Sequence, residues 1–130
     1  MTASVTVETG HWRTGFTALA ALTIVGIGGQ FYLAGMAVFG AGHGWDLHAM
    51  MGGVLSLPIL LMLGLAFLVP GLGSLRGSAS VLAGLYLVQV TLAALGSGIP
   101  YIGALHPLNG LAMDGVAIAL ARASVRRREN

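Results

Sequence analysis

Residues 47–69 read LHAMMGGVLSLPILLMLGLAFLV, a run without a charged side chain. About 20 apolar residues in a helix cross the hydrocarbon core of a bilayer, which is about 30 Å thick. Three further segments have this length and character, at about 15–39, 78–98 and 104–122. Their connections are short and rich in glycine, which predicts antiparallel neighbours. The sequence therefore predicts an all-α, integral membrane four-helix bundle, with residues 1–130 as a single transmembrane domain.

The composition excludes a water-soluble protein. Hydrophobic residues make up 56% of the chain and charged residues only 8%. All six basic residues are arginines, and four of them lie between Arg122 and Arg128, so they indicate membrane orientation rather than a nucleic-acid partner. The chain has no cysteine, which excludes disulfides, iron–sulfur clusters and thiol catalysis.

The positions of the arginines predict how the chain is oriented. In the four-span topology Arg13, Arg76 and the tail Arg126–Arg128 fall on one side, and the opposite side has no lysine or arginine. Cytoplasmic loops carry the excess of basic residues. We therefore expect a multi-pass protein of the bacterial cytoplasmic (inner) membrane, with both termini in the cytoplasm (N-in, C-in) and the first apolar segment retained as a span.

An internal repeat is visible when residues 30–55 are laid beside 89–113. Six positions match in order: Gln30, Leu33, Ala34, Leu47, His48 and Gly52 with Gln89, Leu92, Ala93, Leu105, His106 and Gly110. Glutamine within a membrane helix and histidine at its entrance are both uncommon, so finding the pair twice predicts two repeated helical hairpins. A pseudo-two-fold axis along the membrane normal would then place His48 and His106 at equal depth.

Two imidazoles facing one another suit axial ligation of haem iron. The metal ligands predicted by the repeat are His48 and His106, and haem b (iron) is the predicted cofactor. Gly52 and Gly110 each follow their histidine by four residues, so they lie on the same helix face and leave room for a flat porphyrin. A position near a helix N-terminus also disfavours the imidazolium form.

Other interpretations of the histidines stay open at this stage. Each histidine could instead cap or bridge helices by hydrogen bonds, or the pair could bind another metal. Thioether sulfur from Met36, Met50 and Met51 together with imidazole could suit copper(I). Methionine within a membrane core is more often a packing residue.

Polar residues deeper in the spans predict a hydrogen-bonded interior. Asp114 lies two turns below His106, at a depth where a charged carboxylate is costly. It is expected to be protonated and bonded to Gln30, Gln89 or Thr91; a proton relay or a quinone contact is the alternative. The two glutamines are expected to be interhelical hydrogen-bond partners rather than ligands.

Residues of the outer loops are secondary candidates. Trp45 and Tyr101 are typical interfacial anchors. With a haem bound, His43, Trp45 and Tyr101 could donate hydrogen bonds to its propionates.

The segments QFYLAGMAVFG with DLHAMMGG, and VQVTLAALG with ALHPLNG, resemble one four-helix half of the heme A synthase family. The chain also resembles small uncharacterised bacterial four-span proteins. In heme A synthase, histidines of the second and fourth helices of each unit hold a haem, which the resemblance assigns here to His48 and His106. It also adds Gly35 to the cofactor-binding residues and places Asp46 near that family's acidic catalytic residue.

The sequence thus predicts a b-type haem-binding membrane protein for electron transfer or haem handling, with a quinone or a redox protein as a partner. An electron carrier is expected rather than an enzyme, because two axial histidines saturate the iron. A haem-modifying oxidoreductase, a cofactor-free structural or accessory subunit, and a small transporter that uses Asp114 remain the alternatives.

Overall fold

The protein contains four long, apolar helical segments. Its computed structural model describes residues 2–40 and 42–126. The helices are α1 (Thr2–Val38), α2 (Gly44–Val54), α3 (Ser56–Leu68), α4 (Arg76–Gly96), α5 (Pro100–Gly103) and α6 (Leu105–Arg126), with a 3-10 helix at Pro70–Leu75 between α3 and α4. Each of the four segments Gly10–Val38, Gly44–Leu68, Pro70–Gly96 and Pro100–Arg126 is long and apolar enough to span a membrane. The prediction of an all-helical protein with four apolar spans is confirmed, and the length and composition of these helices suit a membrane.

Two of the spans are interrupted where a proline removes a backbone donor. The second span breaks at Leu55, between α2 and α3, and the fourth breaks at Ala104, between α5 and α6. Each break lies three residues before a proline, Pro58 or Pro107. Proline has no N–H to bond the carbonyl four residues earlier, so the helix loosens just before it. The break at Leu55 lies where the sequence predicts a kink from Pro58.

The helix boundaries differ from the predicted spans mainly at the N-terminus. The prediction begins the first span at residue 15, whereas α1 begins at Thr2. Hydropathy marks only the part of a helix that matches the hydrocarbon core, and backbone hydrogen bonds continue the helix beyond it.

The four spans surround the bundle axis in chain order. Helix α1 packs against α2, α3 and α6, while α4 packs against α3 and α6. The first and third spans therefore face each other across one diagonal, and the second and fourth across the other. This arrangement places the helices that carry His48 and His106 opposite one another.

Arg13, Arg76 and Arg126 lie at one end of this bundle. Arg13 donates a hydrogen bond to the carbonyl of Gly71 in the 3-10 helix. Arg76 donates to the carbonyls of Ala66 and Phe67, at 3.0 and 3.2 Å, with its guanidinium 5.4 Å from the Phe67 ring centre. Arg126 ends α6, while Arg127 and Arg128 lie outside the described residues. We call this the arginine end.

The arginine end is the tightly packed half of the protein. Its interior contains large side chains with no exposed surface: Phe16, Met62, Leu72, Leu82 and Leu120. A hydrogen bond of 2.8 Å between the hydroxyls of Thr17 and Ser124 joins α1 to α6 there. The outer faces of the helices expose large apolar residues such as Leu68 and Leu87. This outside-apolar surface is typical of a multi-pass protein in a lipid bilayer.

Candidate functional site

His48 and His106 converge at the opposite end, which we call the histidine end. His48 lies on α2 and His106 on α6, so their rings approach each other across the bundle diagonal. Their ring centroids are 5.9 Å apart, with an angle of 54° between the ring planes. The prediction that both histidines face one interior gap is therefore matched by the geometry.

The two histidines make equivalent hydrogen bonds. Nδ1 of His48 lies 3.0 Å from the carbonyl oxygen of Gln30, and Nδ1 of His106 lies 3.1 Å from that of Gln89. A carbonyl oxygen only accepts, so each Nδ1 carries the proton and donates it. Each Nε2 is then left with a free lone pair. Metal-binding histidines usually have this arrangement, because the second-shell acceptor sets the tautomer and orients the ring.

Both rings line a cavity of about 410 Å³ between all four spans. Apart from Gly53, its lining residues form pairs at corresponding positions of the two sequence halves. These pairs are Ile27 with Tyr86, Gln30 with Gln89, Phe31 with Val90, Ala34 with Ala93, His48 with His106, Ala49 with Pro107, Gly52 with Gly110, and Leu55 with Met113. The lining is mostly apolar, with the imidazoles and amides as its main polar groups.

The two predicted glycines lie in this lining. A Cβ atom on Gly52 would come within 3.7 Å of the Gln30 side-chain oxygen. On Gly110 it would come within 3.4 Å of the Gln89 amide nitrogen and of Phe31. The glycines thus allow neighbouring side chains to approach the helix backbone. Gly35, by contrast, is not among the lining residues.

The outer-loop candidates lie at different distances from the histidines. Trp45 meets His48 edge to face, with ring centres 5.8 Å apart. His43 and Asp46 form an exposed pair, with 3.7 Å between Nδ1 and Oδ2. Tyr101 is 88% exposed. None of these residues lines the cavity, and Trp45 alone of His43, Trp45 and Tyr101 touches a cavity histidine in the structure described.

Two polar residues of the site do not appear among the sequence-predicted candidates. Tyr86 donates a hydrogen bond of 3.0 Å to the carbonyl of Gly52, which links α4 to α2. Asn109 donates to the side chain of Gln89 at 2.7 Å and to the carbonyl of Leu85 at 2.9 Å. Helical spacing contained the signal, because Tyr86 precedes Gln89 by three residues and Asn109 follows His106 by three.

The hydrogen bonds expected for Asp114 are not formed within the described part of the chain. Its Oδ1 is buried and has no partner there. Gln89 is paired with Asn109, and Thr91 donates to the carbonyl of Leu87. The Gln30 amide nitrogen, at the cavity wall, is also buried without a partner. The glutamines therefore differ: Gln89 joins two helices through its side chain as predicted, whereas Gln30 does so through its carbonyl.

The donor set of the cavity is the histidine pair. The described residues contain no group of three or more His, Cys, Asp or Glu side chains that could hold a metal ion. Met36, Met50 and Met51, the candidates for a copper site, are not lining residues of the cavity. A metal at this position would thus take two imidazole ligands from the protein.

Comparison with known proteins gives a family but no function. Residues 30–96 match the model of a family of unknown function, DUF6220, over just more than half of the chain. The matched region includes Gln30, His48 and Gln89 and ends before His106. No curated protein and no solved structure matches the chain significantly. The resemblance to half of heme A synthase is untested by this match and stays a prediction. The chain belongs to the DUF6220 family.

Proposed function

We propose that this protein binds haem b at the histidine end, with His48 and His106 as the axial ligands of the iron. The observation that carries the proposal is the pairing of the two imidazoles across the cavity, each with its Nδ1 bonded to a backbone carbonyl. This hydrogen bond favours the tautomer in which Nε2 keeps its lone pair, the form that a metal would bind.

The separation of the rings supports this ligation. Metal–imidazole bonds are about 2 Å long, so two of them to one ion place the ring centroids about 6 Å apart. The observed distance is 5.9 Å. A porphyrin provides four nitrogen ligands itself and needs only two more from the protein, which is the number that the cavity offers.

The shape of the bundle also favours a flat ring at this position. A planar group held between ligands on one diagonal extends toward the helices of the other diagonal, α1 and α4. The residues that face the cavity from those helices include the small Ala34 and Ala93. Gly52 and Gly110, one turn below the ligands, add no side chain of their own to the cavity, and the side chains of Gln30, Gln89 and Phe31 lie beside them. The cavity residues therefore fit the group.

The ligand set favours electron transfer or haem handling over oxygen chemistry. His48 and His106 would together occupy the positions that a porphyrin leaves open on the iron, and a haem held in this way would supply one-electron chemistry. His48 and His106 would hold the group, and the mostly apolar lining would limit its contact with water. The redox partner would be a quinone or a redox protein.

We also propose that the chain consists of two repeated hairpins and has both termini in the cytoplasm. Two repeated hairpins would provide equivalent ligands, as in a heme A synthase half. The paired positions of the cavity lining support such a repeat. The arginines at one end of the bundle support an orientation with both termini in the cytoplasm. The histidine end then lies near the outer face of a bacterial inner membrane.

An absorption spectrum tests the proposal. Protein purified from haem-sufficient cells is expected to show a Soret band and sharp α and β bands on reduction. His48→Ala and His106→Ala should each remove the six-coordinate spectrum, because one axial bond is lost. His43→Ala is the matched control, since that histidine is 90% exposed and outside the cavity lining, and its spectrum should equal the wild type. A colourless, folded wild-type protein would refute haem binding.

A cofactor-free accessory subunit is the second candidate. The bonds from His48 to Gln30 and from His106 to Gln89 each close a hairpin and could serve stability alone. Such interhelical bonds contribute about 0.6 kcal/mol each in membrane proteins. In that case His48→Ala would lower stability by this amount, and wild-type protein would show no haem spectrum under any expression condition.

A further inference from the structure

We propose that haem enters the cavity sideways from the bilayer, through an opening between α2 and α4. This inference rests on the proposed haem binding. It adds an access route that is formed by residues other than the two histidines. The cavity has two similar edges, one between α2 and α4 and one between α1 and α6, and only the first would admit haem.

The opening is lined by small, exposed residues. Ala49 and Gly53 border it on α2, and Val90 and Ala93 border it on α4. All four line the cavity and are also exposed at the protein surface. They therefore form a continuous path from the lipid-facing surface to the histidines.

The opposite edge, between α1 and α6, has larger residues at the corresponding positions. Phe31 stands there in place of Val90, Pro107 in place of Ala49, and Leu111 in place of Gly53. The Phe31 ring extends to within 3.4 Å of the Cβ position of Gly110, across the gap between the two helices. The Phe31 ring thus narrows this edge, whereas Val90 and Gly53 place less side-chain volume at the other edge.

Helix packing gives the same asymmetry. Helix α1 packs extensively along α6, which closes that edge. Helix α2 packs against α1 rather than along α4. The bond from the Tyr86 hydroxyl to the Gly52 carbonyl ties α2 to α4 at the level of Gly52 and Gly53. This bond marks the lower limit of the opening, and Val90 and Ala93 lie above it on α4.

The chemistry of the opening suits the apolar porphyrin ring of haem. Its four side chains are apolar or absent, so a solute that passes between them gives up water without gaining polar partners. A porphyrin dissolved in the bilayer is already in an apolar solvent and loses little on entry. The path also ends at the two imidazoles, which would retain the iron.

The test is the rate of haem uptake by the apo-protein. Full-length apo-protein in phosphatidylcholine liposomes is mixed with phosphatidylcholine vesicles that contain haem b, and the Soret band of the bound form is followed in time. Val90→Phe gives the opening the aromatic residue of the opposite edge. We expect it to slow uptake about tenfold or more, because entry then requires a conformational change, with the final spectrum unchanged.

The matched control is Val81→Phe. Val81 is on the same helix, has nearly the same exposure as Val90 (53% against 51%), and is not a lining residue of the cavity. Its uptake rate should equal that of the wild type. Gly53→Leu, which copies Leu111, should slow uptake like Val90→Phe.

Equal uptake rates for wild type, Val90→Phe and Gly53→Leu would overturn the lateral route and leave haem binding intact. Absence of any bound-haem spectrum in the wild type would overturn both proposals. A Val90→Phe protein that loads slowly but reaches the wild-type spectrum supports the route, because its ligands and its fold are then intact.

Discussion

The arginine end and the histidine end of this bundle use the same four helices in different ways. At the arginine end, Phe16, Met62 and Leu82 pack in the interior with no exposed surface. At the histidine end, Ala34, Gly52 and Ala93 border a cavity of about 410 Å³. The arginine end therefore holds the helices together. Its packing also sets the position of the cavity at the histidine end.

The difference has a physical cause in membranes. Lipid is as apolar as a leucine side chain, so helix association depends on close packing and on hydrogen bonds. The packed arginine end supplies the first. The histidine end has fewer packed side chains and relies on bonds to the carbonyls of Gln30, Gln89 and Gly52. A site that must admit a ligand is thus supported by polar ties.

Enlarging a residue should lower haem affinity at the histidine end and the free energy of unfolding at the arginine end. The larger effect is expected on haem affinity. Gly52→Leu places a side chain in the cavity, where a Cβ meets only the flexible Gln30 side chain at 3.7 Å. We expect haem affinity to fall by about a hundredfold or more, because the added volume competes with the ring. Titration of the apo-protein with haem measures the affinity, and unfolding by sodium dodecyl sulfate in mixed micelles should be almost unchanged.

The matched enlargement at the arginine end is Ala117→Leu. Ala117 has no exposed surface and lies within the packed core. Overpacking there should lower the free energy of unfolding by about 1–3 kcal/mol. If Ala117→Leu were neutral and Gly52→Leu unfolded the protein, the assignment of stability and binding to separate ends would be wrong.

Truncation should give a smaller effect, confined to the packed end. Leu82→Ala removes a side chain with no exposed surface and should lower the free energy of unfolding by about 2 kcal/mol, through lost packing contacts. Leu87→Ala on the same helix is the control, because Leu87 is 68% exposed to lipid. Mixed-micelle unfolding of the two variants measures the difference, and equal losses would show that burial in this half contributes little.

Hydropathy and spacing predicted the bundle and the main residues of the site. Uncharged segments of sufficient length determine the spans, and the repeated Gln–His–Gly order identified His48, His106, Gly52 and Gly110. These features follow from local sequence, since residues four apart share a helix face.

Contacts between distant segments could not be predicted in the same way. Gly35 lies outside the cavity lining, and Tyr101 is exposed. Neither position could be derived from helical spacing alone. Gln89 pairs with Asn109 rather than with Asp114, and the Asp114 Oδ1 and the Gln30 amide nitrogen are both buried without a partner. Which of several polar groups bond to one another depends on how the helices are rotated, and the rotation is set by packing throughout the bundle.

Low-temperature electron paramagnetic resonance of the oxidised protein, purified from haem-sufficient cells, examines the histidine pair itself. Two imidazole ligands on one ferric haem predict a low-spin signal, and His43→Ala should leave that signal unchanged. A high-spin ferric signal in the wild type, or protein that contains no haem iron, would contradict ligation by His48 and His106.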